Sequence, residues 1–428
     1  MNGAGFTDAP CVAYYRTLRE GVGQDARQIG YGVNKLPVSP VLRTYLQRLY
    51  GVLLGDRMTE YDSAWDRDVR ELIAGLASEY LGVSALDESQ VVLCHGTTEA
   101  ISIACGYGAS RGMAPVLPLP VYYAFEQSAI RNGLPVLAYY DPLGRHVGEA
   151  APQQAAMLVD VAPNGVLGSW FQQPGTAVAG HVGGSQGYGH VLIDHVFSLP
   201  TLQPGGDFLA QLRDRVRRAP AHTVCMTPSK DLSLPGVRSG LMITTDPGLV
   251  AYAQSDRFER GYAVHGAIGP VAAVHLAFVL LSFTEARELP MMLRRIQAAF
   301  ARASLPFPDE DQVRFFLAES AESRTLFSRN IEVLADCDYL SQVEGAQTPA
   351  AGYSTFQWID RDFGSPELFT KWLNSVGRDG LKLNPNYLFG ADQEIWERLY
   401  PGRYGIRINI SIPTEELMAN LTLLRAAL

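Results

Sequence analysis

The sequence is low in charge and has no long apolar run. Charged residues make up 18% of its 428 residues, below the figure of about 25% that is usual for globular domains. No run of about 18 apolar residues is present, which excludes an ordinary membrane-spanning helix. The first residues also lack the charged start and apolar core of a signal peptide. We therefore expect a cytoplasmic protein with extensive buried surface, part of it between subunits.

The composition does not support a disulfide framework, a metal site or a nucleic-acid interface. The five cysteines are odd in number and never form a CxxC pair, so we expect neither a disulfide framework nor a metal site. The 35 basic and 44 acidic side chains leave a net charge of −9, without a basic block to follow a phosphate backbone. Nucleic acid is therefore not an expected partner.

The pattern that is present is an alternation of strand-like and helix-like segments. Short apolar runs, among them 90–93, 157–161 and 191–193, alternate with amphipathic patterns such as 66–82. This alternation predicts an α/β fold with a mostly parallel sheet sandwiched by helices, followed by a smaller C-terminal α/β domain. The Gly-rich stretch 175–190 predicts a flexible surface loop.

The length favours more than one domain. Three parts are predicted: an N-terminal segment at 1–45 that packs on the small domain, a large domain at 46–285, and a small C-terminal domain at 286–428.

One segment carries specific chemistry. Residues 225–240 read CMTPSKDLSLPGVRSG, which places Lys230 just after Thr227 and Ser229 and eight residues before Arg238. A lysine amine condenses with an aldehyde, while hydroxyls and a guanidinium bind a phosphate. The segment therefore predicts pyridoxal phosphate (PLP) as a cofactor bound to Lys230. A polar turn with an exposed lysine between two strands would have a similar sequence.

The same segment resembles the lysine segment of fold-type I PLP enzymes, most closely the 1-aminocyclopropane-1-carboxylate (ACC) synthase and class I/II aminotransferase branch. In that family, residues matching Thr227, Lys230 and Arg238 form part of the cofactor site. The resemblance extends from about residue 30 to about residue 411. It implies PLP-dependent transferase fold type I and a homodimer with shared active sites.

Further cofactor residues follow from chemistry and from this resemblance. Asp194 closes an apolar strand 36 residues before Lys230, and a buried carboxylate there would keep the PLP ring nitrogen protonated. A helix-capping or turn aspartate is the alternative. The turn Gly96-Thr97-Thr98 precedes a helical pattern and resembles the family's phosphate cup, although an ordinary strand-to-helix connection would look similar.

Aromatic and basic residues complete the predicted site. Tyr122, or Tyr123 as second choice, resembles the aromatic residue that stacks on the PLP ring, although core packing is the commoner role of such a side chain. Tyr61 resembles the family tyrosine that reaches the phosphate of the partner subunit. Arg407 resembles the arginine that clamps the substrate carboxylate, or it forms a structural ion pair. Tyr31, within 28–34, is predicted to line the substrate pocket.

The sequence departs from the family where two groups donate hydrogen bonds to the PLP phenolate oxygen. The expected asparagine falls on Gly165, and the expected tyrosine is Phe197. Asn164 would have to shift to act as a donor, and His95, Tyr31 or water are other candidates. This departure suggests a site adapted to chemistry other than ordinary transamination.

The predicted function is therefore a PLP-dependent enzyme that acts on an α-amino acid through an external aldimine and a quinonoid. We favour β/γ-elimination or replacement, similar to ACC synthase and with S-adenosylmethionine as one possible substrate. The alternative is an aminotransferase that transfers an amino group to a 2-oxo acid. A non-catalytic module with the PLP fold is a third option.

Overall fold

A computed structural model describes residues 8–20, 27–56, 63–84, 86–148, 155–172, 175–182, 188–199, 206–219, 221–260, 266–346 and 352–428. Contacts divide the chain into two compact units. The first unit comprises Met1–Val33, Gly108–Gly189 and Thr325–Leu428, and the second comprises Asn34–Tyr107 and His190–Arg324. The three-part division of the chain at residues 45 and 285 stays a prediction.

Helices and strands alternate along most of the chain. The helices are α1 (Pro10–Glu20), α2 (Pro40–Asp56), α3 (Ser63–Leu81), α4 (Thr97–Ser110), α5 (Ala124–Arg131), α6 (Thr176–Val182), α7 (Gly206–Arg218), α8 (Pro228–Asp231), α9 (Pro247–Arg260), α10 (Ile268–Ser282), α11 (Leu289–Arg302), α12 (Glu310–Ala335), α13 (Pro366–Arg378), α14 (Gln393–Leu399) and α15 (Thr414–Ala427). The strands are β1 (Arg27–Gln28), β2 (Val91–Cys94), β3 (Met113–Pro118), β4 (Ala138–Tyr140), β5 (His146–Gly148), β6 (Ala155–Val161), β7 (Tyr188–Asp194), β8 (His222–Met226), β9 (Gly240–Thr244), β10 (Leu340–Gln342), β11 (Ser354–Ile359), β12 (Leu381–Lys382), β13 (Asn384–Pro385) and β14 (Gly405–Asn409).

In the second unit, strands β2, β9, β8 and β7 lie side by side in that order. β7 and β8 are parallel, with Asp194 opposite Cys225, while β9 runs antiparallel to both β8 and β2. The apolar helix α10 is buried from Ile268 to Leu281 and packs against α3 and β9. α10 also contacts α8, and the predicted cofactor residues lie at and beyond the ends of β7 and β8.

The first unit contains strands β6, β3, β4 and β5 in that order, and a separate antiparallel sheet in the order β10, β11, β14, β13. β3 is parallel to β6 and β4, and β5 is antiparallel to β4. The short strand β1 pairs with β12, so residues 27–28 align with residues 381–382. The antiparallel sheet carries Arg407 on β14.

The predicted α/β fold is confirmed. Helix α3 covers the amphipathic pattern at 66–82, and β6 and β7 cover the apolar runs at 157–161 and 191–193. Strand pairing is mixed in each unit: β9 pairs antiparallel with β2 and β8 in the second unit, and β5 pairs antiparallel with β4 in the first.

The predicted loop at 175–190 is wrong for most of its described residues. Thr176–Val182 form α6, with Val178, Ala179 and Val182 buried, and β7 begins at Tyr188. Gly175 permits close packing, since a Cβ there would lie 2.7 Å from Cδ1 of Leu158. A Gly-rich composition is typical of a flexible loop, but here the buried side chains of α6 pack the segment into the unit.

Among the described residues, no helix is both long enough and apolar enough to cross a membrane.

A buried histidine lies at the start of the parallel pair β7 and β8. His190 Nε2 lies 2.9 Å from Thr223 Oγ1, and its Nδ1 lies 3.4 Å from Asp246 Oδ2. Tyr107 donates a hydrogen bond to the same Asp246 oxygen at 2.8 Å. Burial lowers the pKa of His190 from 6.5 to about 4, although the charge of Asp246 opposes this shift.

This pKa predicts an acid-sensitive fold. As the pH falls from 6.5 to 4, the unfolded chain binds a proton at His190 that the folded chain does not bind. The free energy of unfolding should therefore fall by about 3 kcal/mol over this range because of His190. In His190→Gln, unfolding measured by denaturant titration should be less sensitive to acid by that amount.

The matched control is the exposed His146, whose replacement by Gln should leave the wild-type acid sensitivity intact. An equal acid sensitivity in His190→Gln and wild type would show that this histidine does not carry the effect.

Candidate functional site

Lys230 lies on the short helix α8, directly after β8. Thr227 caps this helix, because its Oγ1 accepts a hydrogen bond from the N–H of Ser229 at 3.2 Å, and Pro228 fits the first helical position. Thr227 Oγ1 also donates to the carbonyl oxygen of Ser239 at 2.7 Å. Thr227 and Ser229 are buried, and Lys230 is half-buried. Hydrogen bonds of Thr227 therefore fix the start of the helix that carries Lys230.

Asp194 is the last residue of β7 and is 4% exposed. Its Oδ1 has no hydrogen-bond partner among the described residues. Burial raises the pKa of Asp194 from 3.8 to about 7, and the charge of Lys230 opposes this shift. Because β7 and β8 are parallel neighbours, Asp194 and the Lys230 turn lie at the same edge of the sheet.

The unpaired oxygen of Asp194 is suited to a cationic N–H donor. A buried carboxylate oxygen without a hydrogen bond destabilises the fold, and a protonated ring nitrogen would supply both the donor and the opposite charge. The residues present therefore fit PLP, whose ring nitrogen would face Asp194.

Arg238 lies against the turn before α4. Its Nη2 donates to the carbonyl oxygen of His95 at 3.1 Å, and a Cβ on Gly96 would lie 2.8 Å from that Nη2. Gly96 and Arg238 both have positive φ angles, 81° and 52°. The structure thus brings together Arg238 and the N-terminus of α4 at Thr97 and Thr98, a combination that can bind an anion.

Glu99 and Arg257 hold this turn and were missed by the sequence analysis. Glu99 Oε2 accepts a hydrogen bond from the backbone N–H of His95 at 2.5 Å. The same oxygen lies 3.0 Å from His95 Nδ1. Arg257 Nη2 lies 3.4 Å from Glu99 Oε1. Burial would raise the pKa of Glu99, but these contacts lower it overall. No sequence pattern connects Arg257 on α9 with a turn 158 residues earlier.

A second cluster, in the first unit, surrounds Arg407. Its Nε donates to the carbonyl oxygen of Gly30 at 2.8 Å, and its Cζ lies 4.6 Å from the centre of the Phe389 ring. A Cβ on Gly32 would lie 2.7 Å from that Cζ, so the absence of a side chain at Gly32 lets the guanidinium lie against the backbone. Asn409 Nδ2 donates to the carbonyl oxygen of Tyr31 at 2.8 Å. These contacts bring Tyr31 and Arg407 together.

Arg407 is half-buried. Burial lowers its pKa from 12.5 to about 10, and the hydroxyl of Tyr122 opposes this shift. Tyr122 is 38% exposed, and its ring lies 4.6 Å from that of Tyr123. The stacking role of Tyr122 stays a prediction, but the structure does bring Tyr122 near Arg407.

The amide of Asn164 is already used within the first unit. Its Nδ2 donates to the carbonyl oxygen of Pro120 at 2.8 Å, and its Oδ1 accepts from the N–H groups of Val166 and Leu167 at 3.0 and 3.1 Å. Asn164 therefore anchors its own turn to the segment before Tyr122, and its cofactor contact stays a prediction. Tyr61 lies outside the described residues.

No protein-family model and no curated protein sequence matches the chain. Solved structures do match. An aminotransferase from Neisseria meningitidis is 15% identical, with a TM-score of 0.63 over 100% of both chains. An aspartate aminotransferase from Thermotoga maritima is also 15% identical, with a TM-score of 0.63 over 98% of this chain and 97% of that one. A PLP-dependent cyclase is 19% identical, with a TM-score of 0.62 over 98% and 97%.

The fold is that of the aminotransferases. The match over nearly the whole length confirms the fold-type I architecture predicted from the lysine segment. At these identities the likeness concerns the aminotransferase fold alone, and the roles of individual residues depend on the geometry described above.

The buried carboxylate predicts opposite effects of one substitution on stability and cofactor binding. In the apoprotein at pH 8, Asp194→Asn should raise the free energy of unfolding by about 2–4 kcal/mol, because it removes a charge whose pKa burial raises to about 7. This gain should disappear as the pH falls from 7 to 4, where the folded protein already carries the proton. Thermal unfolding with and without PLP measures both effects.

PLP should raise the melting temperature of the wild type much more than that of Asp194→Asn. Asp214→Asn, on the exposed face of α7, should change neither quantity appreciably. An Asp194→Asn apoprotein less stable than the wild type at pH 8 would contradict the account.

Proposed function

We propose that the chain is a PLP-dependent enzyme that acts on α-amino acids. The main support is Asp194, a buried carboxylate with one oxygen that has no hydrogen-bond partner in the part of the chain that the structure describes. The charge of Lys230 acts on this carboxylate. An aminotransferase fold supports this proposal. When bound, PLP supplies an electron sink that stabilises negative charge at the substrate Cα.

The second unit supplies the cofactor-binding residues in this proposal. Lys230 would bind the aldehyde carbon, and Asp194 would keep the ring nitrogen protonated. Arg238, the hydroxyls of Thr227 and Ser229, and the N–H groups at Gly96, Thr97 and Thr98 would bind the phosphate. Once released from the cofactor, the amine of Lys230 would remove the Cα proton of the substrate.

Arg407 would bind the substrate carboxylate. Its guanidinium is desolvated and is oriented by the carbonyl oxygen of Gly30 and the ring of Phe389. A carboxylate would offset the cost of burying this charge through paired hydrogen bonds. Asn409, on the same strand as Arg407, donates a hydrogen bond to the carbonyl oxygen of Tyr31. Tyr31 is proposed to line the substrate pocket.

The proposed reaction is β/γ-elimination or replacement. Its support is the absence of a donor side chain at Gly165 and Phe197, where aminotransferase-like sites carry two donors to the phenolate. S-adenosylmethionine is one candidate substrate. Amino transfer to a 2-oxo acid is the second candidate, since solved structures with this fold include proteins named as aminotransferases. A non-catalytic module would require that Lys230 be dispensable.

We also propose a cytoplasmic homodimer with shared active sites, in which Tyr61 reaches the partner's phosphate. This part of the proposal rests on the sequence resemblance.

The reaction type can be tested with purified holoenzyme and candidate amino acids, with and without a 2-oxo acid. We expect release of a β or γ substituent without need for the 2-oxo acid. Stoichiometric conversion of the 2-oxo acid to its amino acid would contradict elimination and establish amino transfer.

The cofactor attachment site can be mapped unambiguously, because the chain has four lysines, Lys35, Lys230, Lys371 and Lys382. Borohydride reduction of the holoprotein should add a pyridoxyl group to the peptide that contains Lys230. Lys230→Ala should lose both the label and the activity, whereas Lys371→Ala should keep both. A label on another lysine, or an active Lys230→Ala, would contradict the proposal.

The role of Arg407 predicts a selective loss of substrate affinity. Arg407→Lys should raise KM about 10- to 100-fold, because an ammonium cannot reproduce the paired hydrogen bonds, each about 1.5–3 kcal/mol. Arg403→Lys changes an exposed arginine of the same region and should leave KM unchanged. Steady-state kinetics measure both, and an unchanged KM in Arg407→Lys would assign this arginine a structural role.

A further inference from the structure

Asp194 and Lys230 are each followed in sequence by a residue whose side chain enters one buried polar cluster. This cluster consists of Tyr80, His195, Ser198, Asp231 and His275, all of them buried. His195 follows Asp194, and Asp231 follows Lys230. None of the five has a role in the proposed function.

The carboxylate of Asp231 joins two elements. Its Oδ2 accepts a hydrogen bond from the backbone N–H of Ser198 at 3.0 Å and another from Nε2 of His275, on α10, at 2.8 Å. His275 Nδ1 has no hydrogen-bond partner among the described residues. A carboxylate oxygen only accepts hydrogen bonds, so Nε2 of His275 is the donor in this contact.

Ser198 connects Asp231 with the residues that follow Asp194. Its Oγ donates to the carbonyl oxygen of His195 at 2.8 Å, and its N–H reaches Asp231. His195 Nε2 in turn lies 2.7 Å from the hydroxyl of Tyr80, on α3. The backbone after Asp194 is therefore tied to the helix that carries Lys230, and both are tied to α3 and α10.

The hydrogen bonds of this cluster lie beyond the ends of β7 and β8, where strand pairing no longer holds the chain. β7 ends at Asp194 and β8 ends at Met226, and beyond them the hydrogen bond from His195 N to Cys225 O at 2.9 Å continues the ladder by one step. The side chains of Asp194 and Lys230 must nevertheless keep a fixed separation to bind opposite parts of one ring.

We propose that the buried polar cluster sets the position of Lys230 relative to Asp194, with Asp231 and His275 as positioning residues for cofactor binding. This inference rests on the proposed function. Replacing a whole buried polar cluster by well-packed apolar side chains of similar volume is often neutral or stabilising, whereas removing one partner alone is destabilising. A cluster with a purely structural role would therefore be replaceable without any effect on the cofactor.

The test compares PLP binding by apoproteins. Asp231→Leu and His275→Phe remove the hydrogen bonds, and Asp231→Asn keeps an oxygen that can accept from Ser198 N–H and His275. We expect the Kd for PLP, from absorbance titration at a temperature well below unfolding, to rise at least 10-fold in the first two variants. Asp231→Asn should stay within about threefold of the wild type. The yield of borohydride-trapped Lys230 should follow the same order.

Thr223→Val is the matched control. It removes buried hydrogen bonds at the other end of β8, to His190 and Thr244, and should lower the melting temperature without changing the Kd for PLP. If Asp231→Leu fails to fold, His275→Phe and Asp231→Asn still carry the comparison.

Two negative outcomes are distinguishable. Wild-type affinity for PLP in both His275→Phe and any folded Asp231→Leu would overturn the positioning role and leave the proposed function standing. Tenfold weaker binding in Asp231→Asn, equal to that of Asp231→Leu, would overturn positioning by hydrogen bonds and indicate that the charge matters instead. If the wild-type protein did not bind PLP at Lys230, the proposed function itself would be wrong.

Discussion

The site depends on the burial of one carboxylate at the end of a strand. Asp194 has one oxygen without a hydrogen bond among the described residues, and the charge of Lys230 acts on it. In the apoprotein this arrangement is destabilising, because a charge is held away from water with incomplete compensation. Proteins keep such strain where a ligand relieves it. A protonated ring nitrogen would relieve it by its charge and by a hydrogen bond.

Two groups of contacts hold residues of the proposed cofactor site. Around the proposed phosphate position, Gly96 and Arg238 adopt left-handed backbone conformations, and the guanidinium lies against the turn. On the helix that carries Lys230, Asp231 is connected through a buried polar cluster to α10 and to the residues after Asp194. Asp194 and Lys230 themselves follow the carboxyl ends of the parallel strands β7 and β8, where α/β sheets commonly bind ligands.

The sequence was informative wherever the signal was local. Strand–helix alternation predicted the α/β class, and the short segment around Lys230 predicted the fold type. Its failures came from non-local packing. Gly175 serves close contact with Leu158, so a Gly-rich stretch that looked flexible contains α6. Two contacts join residues that are far apart in the chain, Glu99 with Arg257 and Asp231 with His275. No sequence pattern indicates either contact. Asn164 could replace the missing donor only after a shift, and the fold uses its amide to anchor a turn instead.

The protonation state of the bound ring nitrogen tests the central claim most directly. With PLP labelled with ¹⁵N at the ring nitrogen, the NMR signal of the wild-type holoprotein should have the chemical shift of a protonated pyridinium at neutral pH. It should move to that of a neutral pyridine in Asp194→Asn. A neutral pyridine signal in the wild type, or a signal unaffected by the substitution, would contradict the pairing of Asp194 with the cofactor.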